Sequence, residues 1–145
     1  MGSNEKNTGI KLEYEILKDD FARAGEASSG IKKVLRQLGI DSSAIRKTAI
    51  ATYEAEINIV IHSEGGKILV YIKPDKIEII AKDNGPGIKD IDLAMQKGFS
   101  TASNRVRELG FGAGMGLPNM KKSSDEFYIE SEMGKGTTVK MIITL

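Results

Sequence analysis

The stretch Lys76-Ile77-Glu78-Ile79-Ile80-Ala81-Lys82, followed at once by Asp83-Asn84-Gly85-Pro86-Gly87, decides how the rest of the chain is read. Its first part is rich in isoleucine, as a strand is. Its second part is built of turn formers, and two glycines let the backbone turn sharply and come close to a ligand. A carboxylate held at a strand end, here Asp83, can accept a hydrogen bond from an exocyclic amine such as that of adenine. A plain tight turn has the same composition, so both readings stay open on this segment alone.

Working outward, residues 67–73 read as a second strand joined to the first through Pro74-Asp75, which is turn chemistry. Residues 10–16 alternate apolar and polar, the period of a half-buried strand. After Asp19-Asp20 the period changes. Phe21, Ala24, Ala27, Ile31, Val34, Leu35 and Leu38 recur at steps of three and four, which predicts a helix running to a stop at Gly39. Asp41, Ser42 or Ser43 can cap a second helix, with Ile45, Ala49, Tyr53, Ile57 and Val60 among its apolar positions, ending near Gly65-Gly66. Downstream, a short helix is expected around residues 91–96, then an irregular stretch over 98–114, of a length that is usually functional. A helix over about 115–123 tolerates Pro118 only in its first turn. Residues 126–131 and 137–145 read as strands joined through Met133-Gly134-Lys135-Gly136. The pattern predicts an α+β fold, a mixed and largely antiparallel sheet faced by helices. Residues 1–8 are expected to be a flexible N-terminus and residues 9–145 a single domain.

Composition narrows the function. The chain has 145 residues, 40% hydrophobic and 28% charged, with a net charge of +1. That balance is globular, and it lacks the electrostatic footprint of a general nucleic-acid binder. Cysteine is absent, which removes disulfides and thiolate metal sites and fits a cytoplasmic location. No apolar run approaches the roughly 18 residues of a membrane helix.

Four local patterns carry chemistry. Glu54 and Asn58 lie four apart on the second predicted helix and so share a face; a carboxylate beside an amide oxygen can supply a general base and a hard-cation ligand. Glu56 points in a different direction. The loop from Asp83 to Gly87 is the second pattern. The third is Gly110-Phe111-Gly112-Ala113-Gly114-Met115-Gly116 leading into a helix, where backbone N–H groups and the helix dipole favour phosphate; a merely flexible loop has the same composition, so both readings stay open on this segment alone. It lacks the Gly-Lys-Ser/Thr of a P-loop. The fourth, Gly134-Lys135-Gly136-Thr137-Thr138, is a hairpin connection that could present a threonine hydroxyl to a nucleotide. The one histidine, His62, lies on the Asn58 face and reads better as a packed or pocket-edge residue than as a catalytic one.

Taken in order, Glu54-x-x-x-Asn58, strand-Asp83-x-Gly85-x-Gly87, Gly112-x-Gly114-x-Gly116 and Gly134-x-Gly136-Thr137 resemble the four boxes of the GHKL ATPase and kinase superfamily, from about Ile45 to the C-terminus. Within it the chain is similar to bacterial anti-sigma-factor and stress-switch serine kinases. Gly98-Phe99-Ser100-Thr101 and Gly114-Met115-Gly116-Leu117-Pro118 are closest to the switch-kinase branch, while the insertion Ala102 to Leu109, with Arg105 and Arg107, departs from that branch's shorter lid. The resemblance implies ATP and Mg²⁺ as cofactors. It also implies phosphorylation of a serine or threonine on a small STAS-type anti-sigma antagonist. A sigma factor or other regulatory protein, and a second copy of the chain, are further partners it allows. By the same resemblance Glu54 is the base, Asn58 the magnesium ligand and Asp83 the adenine contact, with Gly85, Gly87, Gly112, Gly114, Gly116 and Thr137 around the nucleotide. A histidine-kinase catalytic domain, a water-hydrolysing ATPase and a nucleotide-dependent anti-sigma module without turnover are the rival readings. Against the first, the sequence shows no preceding dimerisation helix with a phosphoacceptor histidine.

Overall fold

The computed structural model describes residues 9–96 and 116–145. The expected N-terminal tail (1–8) and most of the expected lid, with Gly112, Gly114, Arg105 and Arg107, lie outside the described residues.

Strand β1 (Ile10–Ile16) leads to a single 3₁₀ turn at Phe21–Arg23, then helices α1 (Glu26–Gln37) and α2 (Ser42–His62). Strands β2 (Gly66–Ile72) and β3 (Lys76–Asp83) follow, then a one-turn helix α3 (Ile91–Ala94). Helix α4 (Gly116–Lys122) and the hairpin β4 (Glu126–Glu132) and β5 (Gly136–Thr144) complete the described chain. The strands form one five-stranded sheet in the order β1-β2-β3-β5-β4, and every pairing is antiparallel. The expected α+β architecture is present. No parallel pair occurs among the described strands, because each neighbouring pair is a hairpin or a crossover that reverses direction.

Strand alternation sets the layers. Ile68, Val70 and Ile72 of β2, Ile77 and Ile79 of β3, and Val139, Met141 and Ile143 of β5 are all buried on one face. Ile31 and Leu35 of α1, both 0% exposed, and Ala51, Ala55 and Ile59 of α2 belong to the same core. Burying each such isoleucine or leucine contributes about 1.5–3 kcal/mol, so this layer holds α2 against the sheet.

The first helix begins later than the periodicity predicts. Ala24 is extended (φ −60°, ψ 127°) and Gly25 has φ 102°, so a 3₁₀ turn and an α-helix replace one continuous helix. Phe21, Ala24 and Ala27 keep helical spacing because they still turn toward the core, although the backbone between them breaks. The predicted stop at Gly39 is present as a left-handed residue, φ 72°. Asp41 caps α2, its side chain accepting from the N–H groups of Ser43 (3.0 Å) and Ala44 (3.4 Å). Helix α2 ends at His62 with Ser63 extended, three residues before Gly66, whose backbone is already paired in β2. Pro118 sits in the first turn of α4, where its missing N–H leaves no bond unmade.

Candidate functional site

Helix α2 carries the first part of the site. Glu54 and Asn58 project toward α4, one turn apart, and both are half-buried. The Asn119 side-chain amide donates to Glu54 Oε2 at 3.0 Å. Gly116, at the start of α4, lies so close that an added Cβ would stand 3.1 Å from Asn58 Oδ1, 3.6 Å from its Cγ and 3.7 Å from Glu54 Oε1. Glycine at 116 therefore lets the N-terminus of α4 rest against both side chains. Glu54 keeps Oε1 on the side that faces this helix start, while Oε2 is held by Asn119. Sequence reasoning stopped at Pro118 and missed Asn119, whose partner lies 65 residues away. The available signal was its position one turn beyond Gly116.

The second part is an interlock of two glycine-containing loops. Asp83, at the end of β3, accepts from the Thr137 backbone N–H through Oδ1 at 3.0 Å. Gly85 N–H donates to the Lys135 carbonyl (3.2 Å), and Gly134 N–H donates to the Pro86 carbonyl (2.8 Å). Gly87, with φ 90°, has the Glu132 carbonyl 2.6 Å from where a Cβ would stand. A Cβ at Gly136 would collide with the Asp83 carbonyl. The loop from 83 to 87 and the hairpin turn from 132 to 137 thus form one unit, in which side chains at 87 or 136 would drive the two backbones apart. The Gly85–Pro86 peptide is cis.

Thr137 is buried, and its hydroxyl lies 2.8 Å from Ser131 Oγ. Ser131 Oγ also accepts from Ile88 N–H at 2.6 Å and lies 3.2 Å from the Gly136 carbonyl oxygen, to which it donates. Ser131 is a second residue that sequence reasoning missed. An open cleft of ≈ 600 Å³ lies beside this unit, lined by Ile88 to Leu93 and Ser131.

The two parts meet at the end of α2. Glu64 N–H donates to the Asn84 carbonyl (3.1 Å), and Asn84 N–H donates to the Gly65 carbonyl (3.0 Å). The Asp83 loop is therefore pinned to the residues that follow the Glu54–Asn58 helix.

Burial pushes the Asp83 carboxyl up from its ordinary value, with the Thr137 N–H pulling it partly back. Burial pushes the His62 imidazole down, so it is neutral at neutral pH. The buried Glu56 is also pushed up by burial, with three backbone N–H groups of α1 opposing the shift. It faces away from the site, as its helical direction predicts.

Among the described residues no group of three or more histidine, cysteine or acidic side chains could hold a metal ion. Asn58 Oδ1 offers one hard oxygen at the mouth of the α4 N-terminus. That suits a magnesium ion held mainly by phosphate and water, with only one or two protein ligands. Among the described residues no helix is long and apolar enough to cross a membrane.

The family model for histidine kinase-, DNA gyrase B- and HSP90-like ATPases matches residues 43–145, which span α2, both glycine loops and the whole sheet except β1. The chain belongs to this ATPase family. Serine/threonine-protein kinase RsbT of Bacillus subtilis (strain 168) is 34% identical over 115 residues, covering 77% of this chain and 80% of that protein. An anti-sigma F factor of Thermoanaerobacter sp. (strain X514) is 40% identical over 107 residues and covers 70% of each. An anti-sigma F factor of Clostridium kluyveri (strain ATCC 8527) is 38% identical over 142 residues and covers 93% of each. A solved chain of the SiaB–SiaC complex from Pseudomonas aeruginosa superposes with a TM-score of 0.63 over 97% of this chain and 94% of that one. At 12% identity that likeness bears on fold alone. Family membership makes this a nucleotide-binding chain, and its relatives are kinases and anti-sigma factors, the branch its motifs resemble.

Proposed function

We propose that the chain is an ATP-dependent protein serine/threonine kinase that phosphorylates a STAS-type antagonist protein in a cytoplasmic sigma-factor partner switch. The observation that carries this reading is the convergence of Glu54, Asn58 and the Gly116 helix start within van der Waals reach of one another. A carboxylate and an amide oxygen beside the first N–H groups of a helix support the reading that phosphate binds there. Residues 9–145 act in this reading as a single domain.

ATP supplies the phosphoryl group, and Mg²⁺ supplies charge neutralisation at its phosphates. The chain's own residues do the rest. Glu54 takes the proton of the attacking serine or threonine hydroxyl on Oε1, while Asn119 holds Oε2 and fixes the plane of the carboxylate. Asn58 Oδ1 would be the protein ligand to magnesium. The α4 N-terminus, opened by Gly116, stabilises negative charge with its backbone N–H groups. Asp83 would offer Oδ2 to the adenine amine, because Oδ1 is already engaged by Thr137. Gly85, Gly87 and Thr137 hold that carboxylate in place through the loop interlock, and Gly112 and Gly114 are phosphate contacts that the family resemblance implies. Phosphoryl transfer needs positioning and electrostatics more than covalent chemistry from the protein, and this set supplies both.

The test is transfer of label from γ-labelled ATP to purified STAS-domain proteins from the same genome, with and without magnesium. Magnesium-dependent labelling of a serine or threonine is the expected result. Release of free phosphate without labelled protein would make the chain an ATPase, and label on histidine a histidine kinase. Nucleotide-dependent binding of a sigma factor without transfer would make it a binding module. Each of these three results overturns the kinase reading.

A further inference from the structure

Glu56 is 2% exposed and carries a carboxylate, so its surroundings need a reason. Gly25 N–H donates to Oε2 at 2.9 Å, Ala27 N–H to Oε2 at 3.3 Å and Ser28 N–H to Oε1 at 3.3 Å. The last two are donors of the first turn of α1, which an N-cap side chain would ordinarily satisfy, and the first is the N–H of the N-cap residue itself. The N-cap residue here is Gly25, with φ 102° and no side chain to offer. The cap of α1 is supplied instead by another helix, 28 to 31 residues away. An anion at a helix N-terminus also meets the positive end of the dipole, so the three bonds are charge-assisted.

The consequence lies on the far side of α2. At about 100° per residue, Glu56 points roughly opposite to Glu54 and Asn58. Helix α2 is therefore gripped on one flank by α1 through Glu56, and it presents Glu54 and Asn58 to α4 on the other. We infer that Glu56 is a positioning residue for phosphotransfer, whose hold on the first turn of α1 sets the rotation of α2 and so the placement of Glu54 and Asn58. Side-chain heads lie roughly 5–6 Å from a helix axis, so a 10° rotation moves them by about 1 Å. Misplacement by 1 Å costs up to about 10²-fold in rate. The clearance of Asn58 from Gly116 leaves little room for such a rotation toward α4. In the other direction Glu56 adds a directional polar hold to the core packing of α2, which apolar contacts alone do not give. This inference rests on the kinase reading, since it concerns the base and the magnesium ligand of that reaction.

Glu56→Gln keeps the volume but turns an NH₂ group toward backbone donors, so one oxygen's bonds are lost. Leu35→Ala, in the core of α1 and 0% exposed, is the comparison, because it destabilises the same helix without touching the cap. Both variants are assayed well below their melting temperatures, with turnover normalised to folded protein. A kcat lowered roughly ten- to hundredfold in Glu56→Gln, with Leu35→Ala near wild type, is the expected split. Equal kcat in the two variants overturns the inference and leaves the kinase reading intact. If the wild-type protein transfers no phosphate, the kinase reading fails by itself. The magnesium-dependent part of ADP affinity then decides the inference: a tenfold loss in Glu56→Gln supports it, and no loss overturns it. If Glu56→Gln does not fold, amide exchange in the wild-type protein decides. Coupling is reciprocal, so Mg·ADP must slow exchange at Gly25, Ala27 and Ser28; unchanged exchange there overturns the inference.

Discussion

Glu54 and Glu56 stand two residues apart on α2, and the helix gives them opposite surroundings. Glu56 is closed in, with both oxygens engaged by backbone N–H groups of α1. Glu54 is half-buried, with one oxygen tied to the Asn119 amide and the other turned toward the start of α4. A carboxylate whose acceptor capacity is used up by backbone holds structure together. One that, among the described residues, keeps an oxygen uncommitted beside a helix N-terminus is available for proton transfer. The sign of the charge and the residue type are the same; what differs is which partners have already claimed the lone pairs.

The strongest break of this comparison is Glu54→Gln. The amide keeps the size and the Oε that Asn119 needs, but it cannot take a proton at neutral pH. Phosphoryl transfer is expected to fall by roughly 10²–10⁴-fold, the range for general-base catalysis. ATP affinity should stay within a few-fold, because the lost interaction belongs to the transition state. Near-normal transfer by the folded variant would remove Glu54 from the base role and erase the contrast with Glu56.

Asp83 sharpens the same contrast, since one oxygen holds the Thr137 N–H and the proposed adenine contact falls to the other. Asp83→Asn retains an oxygen for the Thr137 N–H but turns an NH₂ group toward the adenine amine. Loss of a charge-assisted hydrogen bond is about 1.5–3 kcal/mol, so calorimetric nucleotide affinity should drop roughly ten- to hundredfold. The melting temperature should hold in Asp83→Asn and fall in Asp83→Ala, which also abandons Thr137. A folded Asp83→Ala protein with full nucleotide affinity would take Asp83 out of the site.

Gly116→Ala tests the clearance on the Glu54 side. The added methyl, 3.1 Å from Asn58 Oδ1, must push Asn58 or the helix start aside. Overpacking of this kind typically amounts to about 1–3 kcal/mol. The effect should appear mainly in the magnesium-dependent part of ATP affinity, because Asn58 is the nearest group. Equal losses with and without magnesium would show that the start of α4, rather than Asn58, is displaced.

Much of this arrangement is legible in the sequence, and the limits have physical causes. The i, i+4 spacing places Glu54 and Asn58 on one face and sends Glu56 elsewhere. Strand composition and Pro74-Asp75 give the β2–β3 hairpin. What the sequence conceals is tertiary. The cap of α1 comes from α2, so no local pattern around Gly25 announces it, and apolar spacing runs on across the 3₁₀ turn as though the helix were whole. Asn119 is an ordinary amide until α4 is laid against α2. The pairing of the Asp83 loop with the Gly134–Gly136 turn is likewise a contact between strand ends far apart in the chain.

The smallest expected effect is on stability against pH, and it isolates His62. Burial lowers its folded-state pKa below the ordinary 6.5. As pH falls through 6.5 the unfolded chain takes up a proton that the folded protein still refuses. Stability is therefore lost as pH falls from above 6.5 toward the depressed folded value, and the loss levels off below it. Asp83 and Glu56 run the other way. Their folded carboxyls are raised above the ordinary 3.8 and 4.5, so the folded state binds protons more readily, and stability rises as pH falls toward those values. A melting curve of the wild-type protein alone mixes the two slopes. Subtracting the curve of His62→Gln cancels the carboxylates, which both proteins share. Between pH 7.5 and 5.5 the wild-type melting temperature should fall more than that of His62→Gln. Parallel curves over that interval would mean that His62 takes up its proton as easily folded as unfolded, and that its burial on the Asn58 side of α2 carries no penalty for charge.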